Sequence, residues 1–365
     1  MDSLTQACLG AAVGGAILGP RLGRKALLAG AVLGTLPDLD VMIDYGDAVA
    51  DYTYHRGFSH SLLVLSALAL ILALLSARFI TRRGISLRQW GLFYGACLLT
   101  HPLLDAFTAY GTQLLWPLSL PPVSWSSIFI IDPLYTLPLF VAVVYVLLRG
   151  YRSHALVWGL ALSSAYLVFS LGAKGIIDAR VEPLLARQGL EDAPRLVQPT
   201  PFNTLLWRVT VIDDGDYQEA LIGLFDTQAP LFESFPRGAR LEEAALNIAS
   251  GRRLYWFAGP FLSYRTQAGD GTTGLIATDL RLGMPGFHPF VFYLAARDGD
   301  GWEPIATQLL TARSAGSRAL ALLARRIFSP DLRLCPSAFI RPSRAVSVEA
   351  CPSSKASAYG RFSIP

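Results

Sequence analysis

Residues 61–80 read SLLVLSALALILALLSARFI, a run in which Arg78 is the only charged side chain. As a helix, a stretch of this length and composition crosses the ~30 Å hydrocarbon core of a bilayer. This segment therefore predicts an integral membrane protein.

The remaining hydropathy divides the chain into two parts. The 365 residues are 52% hydrophobic and only 16% charged, with a mean hydropathy of +0.41. Five further apolar segments lie at 4–20, 25–43, 89–107, 133–148 and 155–173. We expect a membrane domain of about six helices over 1–175, a linker over 176–200 and a soluble domain over 201–365. The first two segments are short and Gly-rich, so whether they span completely is open at this point.

The soluble part shows alternating apolar and polar residues, which favours β-strands. Residues 205–212, the turn DDGD at 213–216 and residues 217–225 predict a hairpin. Further strands are expected at 254–264, 274–282 and 290–297, followed by a short basic helix at 315–328. The predicted fold class is an α-helical membrane domain followed by a small, mainly antiparallel β domain. No motif in the β domain indicates a particular chemistry.

Positive charges favour one orientation in the membrane. Nine Lys and Arg residues occur in the loops on one side: Arg21, Arg24, Lys25, Arg78, Arg82, Arg83, Arg88, Arg149 and Arg152. Arg56 is the only one on the other side. We therefore expect a multi-pass protein of the bacterial inner membrane with a periplasmic C-terminal domain. The net charge of +4 is spread without a basic stripe, which argues against nucleic-acid binding.

Two cysteines in the C-terminal part, Cys335 and Cys351, are predicted to form a disulfide if that part is extracytoplasmic, because disulfides persist in oxidising compartments. The alternative is a pair of free thiols.

Three motifs contain His and Asp residues: PDLD at 37–40, HRGFSH at 55–60 and HPLLD at 101–105. The predicted topology places all three at one membrane face. Imidazoles and carboxylates are ligands of zinc and of other divalent metals. The six candidate ligands are Asp38, Asp40, His55, His60, His101 and Asp105. They exceed the three protein ligands of a typical catalytic zinc, which suggests two ions, or one ion and a carboxylate base.

Each motif also has a simpler interpretation. His101 and Asp105 are an ordinary i, i+4 pair on a helix, and the carboxylates of 37–40 could end a short helix. Asp44, Asp47 and Asp51 are more typical of a solvated acidic loop. Ionisable residues near a membrane face are nevertheless costly when unpaired, so their coincidence in three motifs favours a functional site.

These motifs, together with MDSLT at 1–5, the sequence HPLLDAFTAYGTQLLWP from residue 101 and IDPLY from residue 131, resemble the YdjM-type family of inner-membrane, metal-dependent hydrolases. The resemblance covers roughly residues 1–175. It implies that the six candidates bind metal, and that Thr108, Tyr110, Gln113 and Asp132 line a substrate cavity. The sequence departs from the family pattern at Ser59, where Thr is frequent, and at Gln6, where His often stands.

The function expected from these observations is zinc-type hydrolysis, with one or two Zn²⁺ ions, of a lipid or another amphiphile met at the outer membrane face. Arg56 is a cation suited to a phosphate group, and Asp40 or Asp105 could manage protons. One alternative is a metal-binding membrane protein without catalysis, such as a transporter or an envelope assembly factor. Another is that the β domain binds a partner protein and the metal only holds the helices together. Transport is disfavoured because the candidates lie at helix ends rather than near the bilayer midplane.

The charge asymmetry yields a topological prediction. Reporter fusions after Gly84 and at the C-terminus should lie on opposite sides of the membrane, because the basic loop near Gly84 is retained in the cytoplasm. Matching signals from a pair of cytoplasmic and periplasmic reporters would contradict this orientation.

Overall fold

A computed structural model describes residues 1–80, 84–151, 153–268, 272–299, 301–310, 317–330 and 332–340. The chain divides into two compact units. The first comprises Met1–Asp44, Tyr54–Gly172 and Pro201–Asn203. The second comprises Tyr45–Thr53, Ala173–Thr200 and Thr204–Pro365. The second unit therefore includes a short segment taken from between the PDLD and HRGFSH motifs. The predicted partner of Cys335, Cys351, lies outside the described residues, and the disulfide stays a prediction.

The first unit is helical. Its helices are α1 (Ser3–Leu22), α2 (Arg24–Thr35), α4 (Leu62–Phe79), α5 (Leu87–Asp105), α6 (Pro133–Arg149) and α7 (Ser153–Ala186), of which α7 continues into the second unit. Among the described residues, three helices are long and apolar enough to cross a membrane: Ser3–Leu22, Leu62–Phe79 and His154–Ala186. Apolar helices followed by antiparallel sheets confirm the predicted fold class.

The second predicted segment, 25–43, is not one helix. Helix α2 ends at Thr35, and a 3₁₀ helix, Leu36–Met42, follows it. Pro37 accounts for the change, because proline has no N–H to donate and disfavours helical geometry in the residue before it. With 12 residues, α2 is about 18 Å long, which is shorter than the hydrocarbon core.

Helices α1 and α2 approach each other closely because glycines line their contact. A Cβ on Gly10 would lie 2.2 Å from the carbonyl oxygen of Gly30, and one on Gly34 would lie 2.6 Å from that of Gln6. Any larger side chain would push the two backbones apart. The contact places the end of α2, and the PDLD motif after it, against the N-terminal helix.

The second unit contains two four-stranded antiparallel sheets, each with its strands in sequential order. The first sheet comprises β1 (Arg195–Pro199), β2 (Leu206–Asp213), β3 (Asp216–Gly223) and β4 (Glu233–Pro236). The second comprises β5 (Leu262–Ala268), β6 (Thr273–Asp279), β7 (Val291–Asp298) and β8 (Gly301–Leu309). The predicted hairpin is confirmed: Asp213 pairs with Asp216, and Asp214 adopts a φ of 40°, as tight hairpin turns require. Among the residues that the structure describes, the other α-helices are α3 (Ala48–Tyr54), α8 (Glu242–Leu246), α9 (Ala249–Ala258) and α10 (Ser317–Ile327).

The structure differs from the sequence interpretation at two places in this unit. The strand predicted at 254–264 is the end of α9 followed by the start of β5, because the apolar residues Leu254, Phe257 and Ala258 all face inwards with helical spacing. The stretch predicted as a linker, 176–200, contains the end of α7 and strand β1. Ile177, Val181 and Leu185 of α7 are fully buried in one cluster with Trp207, Val209 and Val211 of β2. Burial of this apolar stripe explains why the helix continues to Ala186.

His288 makes the stability of the second unit sensitive to acid. Burial, reinforced by the nearby Arg208, lowers the pKa of His288 to about 3, although Asp279 and the carbonyl of Leu282 act in the opposite direction. Since the unfolded pKa is about 6.5, the unfolded chain binds a proton between these values and the folded chain does not. The part of the free energy of unfolding that depends on neutral His288 is therefore present above about pH 6.5 and is lost as the pH falls below it.

We therefore expect acidification from pH 7 to pH 5 to cost about 2 kcal/mol through this residue. Urea unfolding of the full chain in detergent, followed by near-UV circular dichroism, should show that loss in the wild type. Over the same pH range, the free energy of unfolding of His288→Gln should fall by about 2 kcal/mol less than that of the wild type. Equal losses in the two proteins would refute the assignment.

Candidate metal centre

Four acidic and imidazole side chains of the first unit converge on one point. Each of Asp38, His60, His101 and Asp105 offers one ligand atom, and the four atoms lie within 4.8 Å of one another. Asp38 lies on the 3₁₀ helix after α2, and His60 ends a 3₁₀ turn, Phe58–His60. His101 and Asp105 share a face in the last turns of α5. All three sequence motifs therefore contribute to this group, which we call the four-donor group.

The spacing of these atoms suits a single ion. Nε2 of His60 and Nε2 of His101 are 3.0 Å apart. Oδ1 of Asp38 lies 3.4 Å from each nitrogen, and Oδ2 of Asp105 lies 3.2 Å from the first and 3.6 Å from the second. Ligands ~2.0–2.1 Å from a tetrahedral ion are about 3.3 Å from each other. The five separations lie on both sides of that value.

Hydrogen bonds fix which nitrogen of each imidazole faces the group. Nδ1 of His101 lies 2.6 Å from the carbonyl oxygen of Gly34, which can only accept, so Nδ1 holds the proton. Ser59 donates its hydroxyl proton to Asp40 at 2.6 Å and therefore accepts from Nδ1 of His60 at 2.9 Å. In their neutral forms, both imidazoles direct an unprotonated Nε2 towards the same point. Metal-binding histidines are oriented in this manner by their second nitrogen.

The two carboxylate oxygens of Asp105 have different surroundings. Oδ1 accepts a hydrogen bond from Nε2 of Gln6 at 3.0 Å and forms an ion pair with the amino group of Met1. Oδ2 is buried, faces both imidazoles and accepts no hydrogen bond from the described residues, although Nε of Arg56 lies 3.3 Å away as an ion-pair partner. A buried carboxylate oxygen that accepts no hydrogen bond is costly. A bound cation satisfies this oxygen and both imidazole lone pairs at once, so the residues fit a divalent metal.

The other two predicted ligands, Asp40 and His55, form a pair beside the four-donor group. Nδ1 of His55 lies 2.8 Å from Oδ1 of Asp40. Oδ2 of Asp40 accepts from Ser59 and from the backbone N–H of Arg56, and it approaches His60 only at Nδ1, at 3.9 Å. The structure thus divides the six candidates into four that share a centre and two that orient the residues around it.

Arg56 is a buried cation next to the four-donor group. Its Nε lies 3.3 Å from Oδ2 of Asp105, and its Nη1 donates to the hydroxyl of Thr108 at 3.3 Å. Its guanidinium carbon lies 4.8 Å from the ring centre of Tyr110, and its carbonyl accepts from the N–H of Gln113 at 3.0 Å. The backbone of Arg56 adopts a φ of 61°, a strained value for a long side chain. Strain of this kind is concentrated at functional sites.

Asp132, which the family resemblance placed in the substrate cavity, starts a helix. Its Oδ1 accepts from the N–H groups of Leu134 and Tyr135 at the first turn of α6, at 3.0 and 3.3 Å. Its Oδ2 accepts from the hydroxyl of Tyr166 at 2.9 Å. By contrast, Thr108, Tyr110 and Gln113 surround Arg56, as described above. These contacts give Asp132 a capping role.

Three groups at the site were not assigned roles from the sequence. Ser59 and Gln6 had been noted only as departures from the family pattern, yet Ser59 connects Asp40 to His60 and Gln6 binds Asp105. The carbonyl of Gly34 orients His101 and has no side-chain signature. A signal for Ser59 existed, because its position next to a candidate ligand allows a hydrogen bond to the ring.

The part of the chain that contains the three motifs matches a known protein family. Residues 1–177 match the family model described as YdjM inner membrane protein. The inner membrane protein YbcI of Escherichia coli (strain K12) is 38% identical over 115 residues, which are 31% of this chain and 62% of that protein. The uncharacterized protein YfhP of Bacillus subtilis (strain 168) is 33% identical over 141 residues, which are 36% of this chain and 42% of that protein. The chain thus spans less than two thirds of each relative. No solved structure matches.

Metal affinity should depend on the hydrogen bonds through Ser59. Ser59→Ala removes the acceptor of the His60 proton, and loss of such an orienting group typically lowers metal affinity by about 10–100-fold. Ser59→Thr keeps the hydroxyl and should retain the affinity. The measurement is Zn²⁺ binding to the full chain in detergent by competition with a chromophoric chelator.

Ser163→Ala is the matched control, because Ser163 is also buried and donates to a carbonyl, that of Tyr135 in α6. It should bind Zn²⁺ like the wild type. If Ser59→Ala also kept the wild-type affinity, the connection from Asp40 to His60 would have no part in binding.

Proposed function

We propose that this chain, whose residues 1–177 belong to the YdjM family, is a membrane-bound, metal-dependent hydrolase of lipids or other amphiphilic phosphoesters. Its site would lie at the outer face of the inner membrane. The observation that carries the proposal is a buried guanidinium, that of Arg56, 3.3 Å from an oxygen of the four-donor group. A metal and a cation side by side suit an anionic substrate group such as phosphate.

The donor set supports zinc as the ion, since two imidazoles and two carboxylates are typical zinc ligands. When bound by Asp38, His60, His101 and Asp105, such an ion supplies Lewis acidity for hydrolysis. The side chain of Asp38 is 18% exposed, whereas those of the other three donors are fully buried. Substrate would therefore approach the centre on the side of Asp38.

The protein's own groups have separate tasks in this proposal. Arg56 binds an anionic oxygen of the substrate and holds the charge that develops there. His55, whose side chain is 21% exposed and whose Nδ1 is held by Asp40, is placed to accept or donate a proton at Nε2. Ser59 and the carbonyl of Gly34 keep the imidazoles of His60 and His101 oriented.

Exposed apolar side chains in the same segments support an amphiphilic substrate. Val41 and Met42, close after Asp38, are 73% and 81% exposed, and Phe58, between Arg56 and His60, is 40% exposed. The ring of Phe58 contacts that of Trp116, which is also exposed. Apolar and aromatic residues beside a polar site suit acyl chains and the bilayer interface.

The alternative, a metal-binding membrane protein without catalysis, is favoured by one observation. Four protein donors complete a tetrahedral shell, as in structural zinc sites, whereas catalytic sites usually use three and leave one position open. Under this alternative the ion would hold the 3₁₀ segments against α5. The two functions differ in whether loss of Arg56 has any effect beyond metal binding.

Metal analysis and phospholipid hydrolysis in mixed micelles, both on the full chain in detergent, test the proposal. The wild type should contain about one divalent ion per chain and release the phosphate-containing headgroup. His60→Ala should lose both, because it removes a ligand. Arg56→Gln should keep the metal and lose about 10²–10³ of the rate, the usual effect of removing a donor to a developing charge.

His154→Ala is the control for the histidine substitution, since His154 is exposed on α7, and it should resemble the wild type. A wild-type protein that binds metal but hydrolyses no phospholipid or phosphoester presented in micelles would support the non-catalytic alternative. A protein whose metal content is unaffected by His60→Ala would contradict the site itself.

A further inference from the structure

The second unit contains a segment that interrupts the metal site in sequence. Tyr45–Thr53 belongs to the second unit, although Asp40 precedes it and His55 follows it. Only Ile43 and Asp44 separate it from the 3₁₀ helix that holds Asp38 and Asp40, and only Tyr54 separates it from His55. We call Tyr45–Thr53 the inserted segment.

Tyr52 anchors the inserted segment in the second unit. Its hydroxyl donates to Oδ2 of Asp279 at 2.9 Å, and its ring is only 5% exposed. The ring lies 5.1, 4.4 and 5.2 Å from the ring centres of Phe257, Phe290 and Phe292. The packed ring stabilises the contact through apolar burial, and the hydrogen bond of its hydroxyl fixes the orientation of the side chain.

Hydrogen bonds hold the backbone on either side of Tyr52. Arg253 donates from Nε to the hydroxyl of Thr53 at 3.0 Å and from Nη2 to its carbonyl at 3.3 Å. The N–H of Val49 donates to the hydroxyl of Thr307 at 2.9 Å, and that hydroxyl in turn donates to Asp47. Val49 and Thr53 are buried. The inserted segment is thus fixed along its length by side chains of the second unit.

We infer that the second unit positions the metal site through the inserted segment, with Tyr52 and Arg253 as positioning residues. An extended chain spans at most about 3.6 Å per residue. The connections of two residues before the inserted segment and one residue after it are therefore too short to let the site residues move far from it. Ordering a free loop costs conformational entropy, and a segment already held in place spares metal binding that cost. The inference rests on the proposed metal function of the four-donor group.

The test is the Co²⁺ affinity of the full chain in detergent, titrated through the visible absorption of the bound ion. The double variant Tyr52→Phe/Arg253→Gln removes the hydroxyl bond to Asp279 and both bonds to Thr53 while keeping the aromatic ring. Its affinity should fall on the order of tenfold, as for other groups that orient ligands. The absorption spectrum at saturation should be unchanged, because the ligands are the same.

Tyr264→Phe/Arg326→Gln is the matched control. Tyr264 and Arg326 are buried in the second unit, and Arg326 pairs with Asp226, which is not part of the inserted segment. The control should keep the wild-type affinity. If both double variants lost the same affinity, general destabilisation of the second unit would explain the result and the inference would fail.

A second variant keeps the test decisive if the first does not fold. Insertion of Gly-Ser-Gly-Ser between Asp44 and Tyr45 leaves every contact of the inserted segment in place and lengthens only its connection to the PDLD motif. It should also lower the Co²⁺ affinity, and an unchanged affinity would overturn the inference. Absence of Co²⁺ binding by the wild type would instead refute the proposed metal function, so the two failures are distinguishable.

Discussion

Two imidazole nitrogens that face each other at 3.0 Å in a buried place are the constraint on which the site depends. Their second nitrogens donate, one to the carbonyl of Gly34 and the other to the hydroxyl of Ser59, so neither of the facing nitrogens carries a proton while the rings are neutral. Protonation would bury additional positive charge beside Arg56. A divalent ion removes the conflict, because it turns two repelling lone pairs into ligands.

The positions of these groups follow from close helix contact. Gly10, Gly30 and Gly34 allow α1 and α2 to approach until backbone atoms touch, which brings the end of α2 to the ring of His101. Proline at position 37 then ends the α-helix and starts the 3₁₀ turn that presents Asp38. Small residues and a single proline, which have no metal chemistry of their own, therefore decide where the donors stand.

The helices and the candidate metal ligands could largely be predicted from the sequence. The apolar runs and the HPLLD spacing indicate helices and a shared face, because both depend on local periodicity. The different roles of Asp38, which joins the four-donor group, and Asp40, which does not, could not be predicted. Both lie in a 3₁₀ turn, and the contacts of Asp40 with Ser59 and His55 set its direction. Residues 254–258, the end of the helix Ala249–Ala258, were predicted as part of a strand because a short apolar run does not by itself distinguish a helix from a strand.

Arg56 is the residue that bears on whether the proposed site catalyses a reaction or only holds a metal. A guanidinium 3.3 Å from a donor oxygen repels a divalent ion bound by that oxygen, and burial strengthens the repulsion. A site that only stapled helices together would bind its metal more tightly with a neutral residue in this position. The chain instead holds Arg56 in a strained backbone conformation against Thr108 and Tyr110. Such a cost is understandable if the cation binds an anionic group that the metal also binds, as phosphoester hydrolysis requires.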